Sequence, residues 1–141
     1  MNYLQAIEIS AAGLSAEKAR IEAATLNLAN MNASTAPGTA GYRPVTAVIR
    51  SAPSRFAQMI GGSAQPLPLA KAELVTQTAA PRTAYEPGHP HADAAGMVSY
   101  PAVDHTQEMM TVMAALRAYE ANLTTLQVTR TLAARALEIG S

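Results

Sequence analysis

The sequence predicts a mainly α fold. Two long helices, one at each end, pack as an antiparallel coiled-coil-like pair, with a small β-rich or irregular insert between them. Three observations predict it. All nine prolines lie between Pro37 and Pro101, and a proline inside a helix costs about 3 kcal/mol. Long helices are therefore confined to the two ends. Both proline-free ends carry apolar residues that step by alternating threes and fours, the spacing of a heptad seam. Trp is absent and Phe occurs once, so alanine must fill much of the interior, which suits helices packed at close range.

The first helix is expected from about Asn2 to Asn30. Its seam is Leu4, Ile7, Ala11, Leu14, Lys18, Ile21, Thr25 and Leu28. Gly13 weakens it by up to about 1 kcal/mol relative to Ala. Six of the eight glycines fall with the prolines in the middle. There, Val45 to Arg50, Glu73 to Thr78 and Met97 to Tyr100 read as short strands, and Pro53 to Pro68, with Gly61-Gly62-Ser63, reads as a loop. The second long helix is expected from about His105 to Ile139. Asp104 is a good N-cap with Gln107 three residues on, and Gly140 sits where a C-terminal cap glycine belongs. Its seam is Met109, Val112, Leu116, Tyr119, Leu123, Leu126, Arg130, Ala133 and Leu137. The chain thus divides into residues 1–33 and 104–141, which supply the helices, and residues 34–103, the insert.

Each helix also carries a second apolar stripe. On the first it includes Ile9 and several alanines; on the second, Met110, Val128, Leu132 and Ile139. A hairpin of two helices covers one face of each. Burying a Leu, Ile or Met contributes about 1.5–3 kcal/mol, so stripes left in water drive association with further chains. The alternative is that the insert folds back over them, although it is poor in large apolar residues.

Several function classes are excluded. Ten basic and ten acidic residues balance to zero, which removes the electrostatic basis for binding nucleic acid or an anionic membrane surface. Cysteine is absent, so there is no disulfide, thiolate metal site or cysteine nucleophile. No nucleophile elbow, zincin or phosphate-loop motif occurs. The N-terminal stretch has no basic region before its apolar residues, which are interrupted by Gln5, Glu8 and Ser10. It reads as neither a cleavable signal nor a membrane span. His89 and His91, with Asp93, have a spacing that zinc can use. The prolines around them and the lack of a second ligand cluster favour a rigid turn instead. No catalytic residue, cofactor or metal is assigned.

The more informative polar residues are Asn27, Asn30 and Asn32, which close the first helix. A carboxamide donates and accepts up to four hydrogen bonds. At a packed interface such groups fix register, because a slipped neighbour leaves them unpaired. The plainer reading of Asn30 and Asn32 is that they cap the helix.

These features come together in a resemblance. The segment Asn27-Leu28-Ala29-Asn30-Met31-Asn32 followed by Gly41-Tyr42-Arg43 resembles the N-terminal motif of the flagellar rod–hook family of axial proteins. Arg117-Ala118-Tyr119-Glu120-Ala121-Asn122 and Ala136-Leu137-Glu138-Ile139-Gly140 are similar to its C-terminal helix. Tyr85-Glu86-Pro87-Gly88-His89-Pro90 and Gly96-Met97-Val98-Ser99-Tyr100-Pro101 resemble the proximal-rod branch, with Pro87, Gly88, His89 and Pro90 as the distinguishing turn. The likeness is weakest from about Val45 to Pro81. Leu28 stands where the family often has Ile, and His91 where an acidic residue is common.

The resemblance implies a structural subunit with no enzymatic role. It would be exported by the flagellar type III apparatus without a cleaved signal and built into the periplasmic rod. The end helices would line the export channel and the insert would face outward. The implied partners are further copies of the chain, FlgB-like and FlgF-like rod proteins, the rod-base adaptor FliE and the export apparatus, with no nucleic acid and no membrane insertion. The residues expected to pack subunits are Leu4, Ile7, Ala11, Leu14, Ile21, Asn27, Leu28, Asn30, Asn32, Met109, Val112, Leu116, Tyr119, Asn122, Leu123, Leu126 and Leu137. The competing reading is a self-contained helical hairpin that recruits a partner through its proline-rich middle.

Overall fold

A computed structural model describes residues 3–52 and 69–139, with side chains over 6–50 and 71–138. Helix α1 spans Tyr3–Asn30 and helix α2 spans His105–Ile139, so the proline-free ends are the helices. At about 1.5 Å per residue they run roughly 42 and 52 Å. Between them lie four strands: β1 (Val45–Ala52), β2 (Leu69–Thr76), β3 (Arg82–Tyr85) and β4 (Met97–Tyr100). The molecule is mainly helical with a small β insert. The loop expected at Pro53–Pro68, the cap expected at Gly140 and the side chain of Leu4 lie outside the described residues.

Local chemistry accounts for the boundaries. Asn30 turns back, its Nδ2 donating to the Leu26 carbonyl at 2.8 Å, and the Ala33 amide donates to the Asn30 carbonyl. That supports the capping role for Asn30; Asn32 beside it is exposed. At the other helix, Asp104 Oδ1 accepts from the Gln107 amide at 3.0 Å, satisfying one of the orphan donors of the first turn.

Strands β1 and β2 form an antiparallel pair running from Val45 opposite Thr76 to Ala52 opposite Leu69. The expected second strand, Glu73 to Thr78, therefore starts earlier and stops sooner. Its extent is set by the partner's hydrogen bonds: the Gln77 amide still donates to the carbonyl of Pro44 opposite it, and Pro44 has no N–H to return the bond. Strand β3 is absent from the sequence reading. Pro81 and Pro87 flank four residues too short for a periodicity signal, and only pairing with β4, Arg82 opposite Tyr100 through Tyr85 opposite Met97, makes them a strand. Thr35 adds an isolated antiparallel bridge to Ser99, with both amide–carbonyl bonds at 2.9 Å.

Helix α1 packs against α2 and against β1 and β2. The buried hydrophobic residues are Ala16, Ala23, Ala24, Ala115 and Val98, joined by the polar Ser10, Asn27 and Ser99. This revises the heptad seam. The centre of α1's contact is Ser10, Ala16, Ala23, Ala24 and Asn27, while Ile7, Leu14, Ile21 and Leu28 are half-buried flanks and Ala11 is exposed. On α2, Ala115 is buried. Val112, Tyr119, Asn122 and Leu126 are half-buried, and Met109, Leu116, Leu123 and Leu137 are exposed. Two backbones approach closely only where side chains are small. A pattern search weighted toward large residues finds the margins of such a contact, not its middle. Gly13 lies in tight contact with α2: a Cβ added there would lie 3.0 Å from Asn122 Nδ2.

Candidate assembly surface and the Asn27 knot

One carboxamide joins three parts of the chain. Asn27 is 1% exposed. Its Nδ2 donates to the Val45 carbonyl and to Glu108 Oε1, each at 2.8 Å. Its Oδ1 accepts from the Tyr42 hydroxyl at 2.9 Å and from the Val45 amide at 2.8 Å. Both protons and both lone pairs are engaged, the full capacity of the group. The two bonds to Val45 make the side chain a one-residue substitute for a neighbouring strand at the free edge of β1. The hydrogen bonds recorded for Asn27, which was expected to set register between subunits, are thus all made within its own chain. Burial, helped by the nearby Glu108 carboxylate, pushes the Tyr42 phenol above its ordinary value, because both disfavour the phenolate.

The proline-rich turn is a second built unit. The His91 amide donates to His89 Nδ1 at 3.0 Å, so in the neutral ring the proton sits on Nε2, which faces Ser34 Oγ at 3.4 Å. Ser34 Oγ lies 3.0 Å from His91 Nδ1 and can donate to it. A metal-binding imidazole normally donates its other N–H to a supporting acceptor. In His89 that nitrogen is itself an acceptor, and both rings are turned toward Ser34 Oγ. Gly96 adopts φ +74°, and a Cβ there would come within 2.8 Å of the Tyr85 ring, so glycine is required. Asp93 Oδ1 accepts from the Ala95 and Met97 amides, and the His89 amide donates to the Glu86 carbonyl. Pro87 and Gly96 are thereby brought together across the turn. Tyr100 donates to Glu86 Oε2 at 2.9 Å, and that bond raises its phenol pKa.

The remaining feature is apolar. Ile9 is 55% exposed, Met110 66%, Met113 55%, Val128 53% and Leu132 50%. Ile9, Met110, Val128 and Leu132 come from the second stripes, and the described part of the insert does not shield them. Among the expected packing residues, Leu116, Leu123 and Leu137 add to this surface at 44%, 39% and 76% exposed. Met113 was absent from the expected set because it lies on neither stripe. Among the described residues no helix is long and apolar enough to cross a membrane, and no group of three metal-ligating side chains forms.

Comparison with known proteins gives these surfaces a context. Residues 94–139, from the end of the turn through α2, match a family model described as the flagellar basal body rod FlgEFG protein C-terminal region. Over 140 residues the chain is 33% identical to the flagellar basal-body rod protein FlgC of Yersinia enterocolitica. Over 142 residues it is 33% identical to that of Salmonella typhimurium, and over 149 residues 30% identical to that of Bacillus subtilis. Each match covers 99% of both chains. Paired end helices, a small β insert and these likenesses define a structural protein of the bacterial flagellar basal-body rod, not an enzyme. Within that class, the chain belongs to the FlgC family of rod proteins.

Proposed function

We propose that the chain polymerises with copies of itself and with FlgB-like and FlgF-like relatives into a proximal-rod tube that encloses the export channel and transmits torque across the periplasm. The adaptor FliE would anchor it at the rod base, and the type III export apparatus would deliver it without a cleaved signal. Residues 1–33 and 104–141 form the inner tube wall and residues 34–103 its outer segment. The helices run antiparallel in a coiled-coil-like pair: contacts that climb α1 from Gly13 to Asn27 descend α2 from Asn122 to Glu108. Leu4, Ile7, Ala11, Leu14, Ile21, Leu28, Asn32 and the α2 seam supply the contacts between subunits.

The observation that carries this reading is the row of large apolar side chains left in water on α2 after the two helices have paired. Burying about half of a Leu or Met side chain contributes roughly 1 kcal/mol. Repeated over several residues and many copies, that suffices to hold a tube together with no charge pairing. The test is Leu116→Asp or Leu123→Asp. Both positions are exposed enough in the single chain for an aspartate to be hydrated. Expression should persist while rod assembly and swimming are lost. Normal rods and normal swimming in either variant would refute the tube.

A further inference from the structure

The proline-rich turn and the segment that leaves α1 share a closed ring of three hydrogen bonds. Its donors follow one from another. The His91 amide can only donate, so His89 Nδ1, 3.0 Å away, is its acceptor. The proton of the neutral His89 ring is then on Nε2, 3.4 Å from Ser34 Oγ, which accepts it. The Ser34 hydroxyl keeps its own proton for His91 Nδ1 at 3.0 Å. An amide bonded to the side chain two residues before it is the pattern of an Asx turn. Asp93 makes the ordinary form with the Ala95 amide, through a carboxylate. At His89 an imidazole takes the place of the oxygen, and a second proton turns both of its nitrogens into donors.

We infer that His89 is a proton-sensitive fastener of this turn, closed while its ring is neutral and opened when the ring is protonated. In the imidazolium, Nδ1–H confronts the His91 N–H, donor against donor, and the first bond of the ring is lost. A protonated His91 likewise presents Nδ1–H to Ser34 Oγ, which must turn its own proton away. The two ring centroids are 5.4 Å apart, so two imidazolium charges also repel. The ionisable neighbours lie on the turn and on β3 and β4. Tyr100 stands edge-on to His89 at 6.5 Å between centroids, with Arg82 over its ring. Glu86 already accepts from the Tyr100 hydroxyl, and Asp93 from the Ala95 and Met97 amides. Residues 31–36, on the other side, carry no charged group. Opening removes the side-chain link between the turn and Ser34 and leaves the Thr35–Ser99 backbone bridge in place. The inference concerns the insert and stands whether or not the tube reading holds.

The test is hydrogen exchange at the His91 amide in basal bodies isolated with the full chain in place. It is read by mass spectrometry with fragmentation to single residues, and rates are corrected for the intrinsic dependence of exchange on pH. The parent amide should be protected at about pH 8 and about fivefold less protected at about pH 5, the range over which imidazole takes up a proton. His89→Asn supplies a carboxamide oxygen that accepts from the same amide and does not titrate, so its protection should be equal at both pH values. His89→Ala removes the acceptor, and the amide should be unprotected at both. A turn that depended on the bulk of the imidazole, and not on its acceptor, would not be restored by asparagine. The inference is overturned if the parent amide is equally protected, or equally unprotected, at the two pH values. It is also overturned if His89→Asn is no better protected than the parent at the lower pH, or if His89→Ala stays protected at the higher one.

Discussion

Asn27 shows how much a single side chain can decide. Replacing it with alanine leaves the Val45 amide and carbonyl unpaired at a part-buried edge and removes the partner of a carboxylate. An unsatisfied buried polar group costs about 1–3 kcal/mol, so Asn27→Ala should lower the stability of the chain by about 2–4 kcal/mol, read from urea denaturation. Tyr42 adds a dependence on pH. Its phenol is pushed above its ordinary value in the fold, so the folded chain holds that proton where the unfolded chain releases it. The resulting stability is fully present below about pH 10. It is lost as pH rises through the folded value. Denaturation midpoints should fall above about pH 10, and fall less in Tyr42→Phe, which cannot ionise. An equal alkaline slope in both proteins would remove Tyr42 as the cause.

At the scale of elements, the contact between α1 and α2 depends on small residues. Gly13→Ala adds helix propensity of up to about 1 kcal/mol against one tight contact with the movable Asn122 side chain, so its net effect should be small. Gly13→Val carries its branches into the Asn122 side chain, and overpacking of this kind costs about 1–3 kcal/mol. Thermal unfolding of the two variants should separate them in that order; a valine variant as stable as the parent would show that the helices are not in close contact at Gly13. The approximate limits of the helices were legible in the sequence because proline and capping residues act locally. The face on which they meet was not, because Ser10, Ala16, Ala23 and Ala115 give almost no periodicity signal of their own. Strand β3 was missed for a related reason: four residues acquire strand geometry only from the ladder that β4 supplies.

For the whole molecule, the main fact is that folding leaves much apolar surface exposed. Ile9, Met110, Met113, Val128 and Leu132 remain at least half in water on a chain with zero net charge, so neither burial nor charge repulsion keeps copies apart. Sedimentation of the purified chain should show mass rising with concentration until the protein assembles or precipitates. A self-contained binding hairpin would remain monomeric throughout, and that result would favour the competing reading of the sequence. The turn around Gly96 and His89 is held by its own hydrogen bonds and meets Ser34 through both histidine rings.

Proline placement and apolar stepping were enough to establish two end helices and a β insert, and the motifs around Asn27, Pro87 and Tyr119 to suggest a structural role, because each of these signals acts over a few residues. The packing partners of the helices, the existence of β3 and the inward commitment of Asn27 depended on which distant residues come together. Asn27 was singled out with Asn30 and Asn32 as an informative polar residue expected at a subunit interface, and the structure places its hydrogen bonds within the chain. A carboxamide announces in sequence that it needs four partners, and only the arrangement of Tyr42, Val45 and Glu108 around it reveals that all of them belong to its own chain.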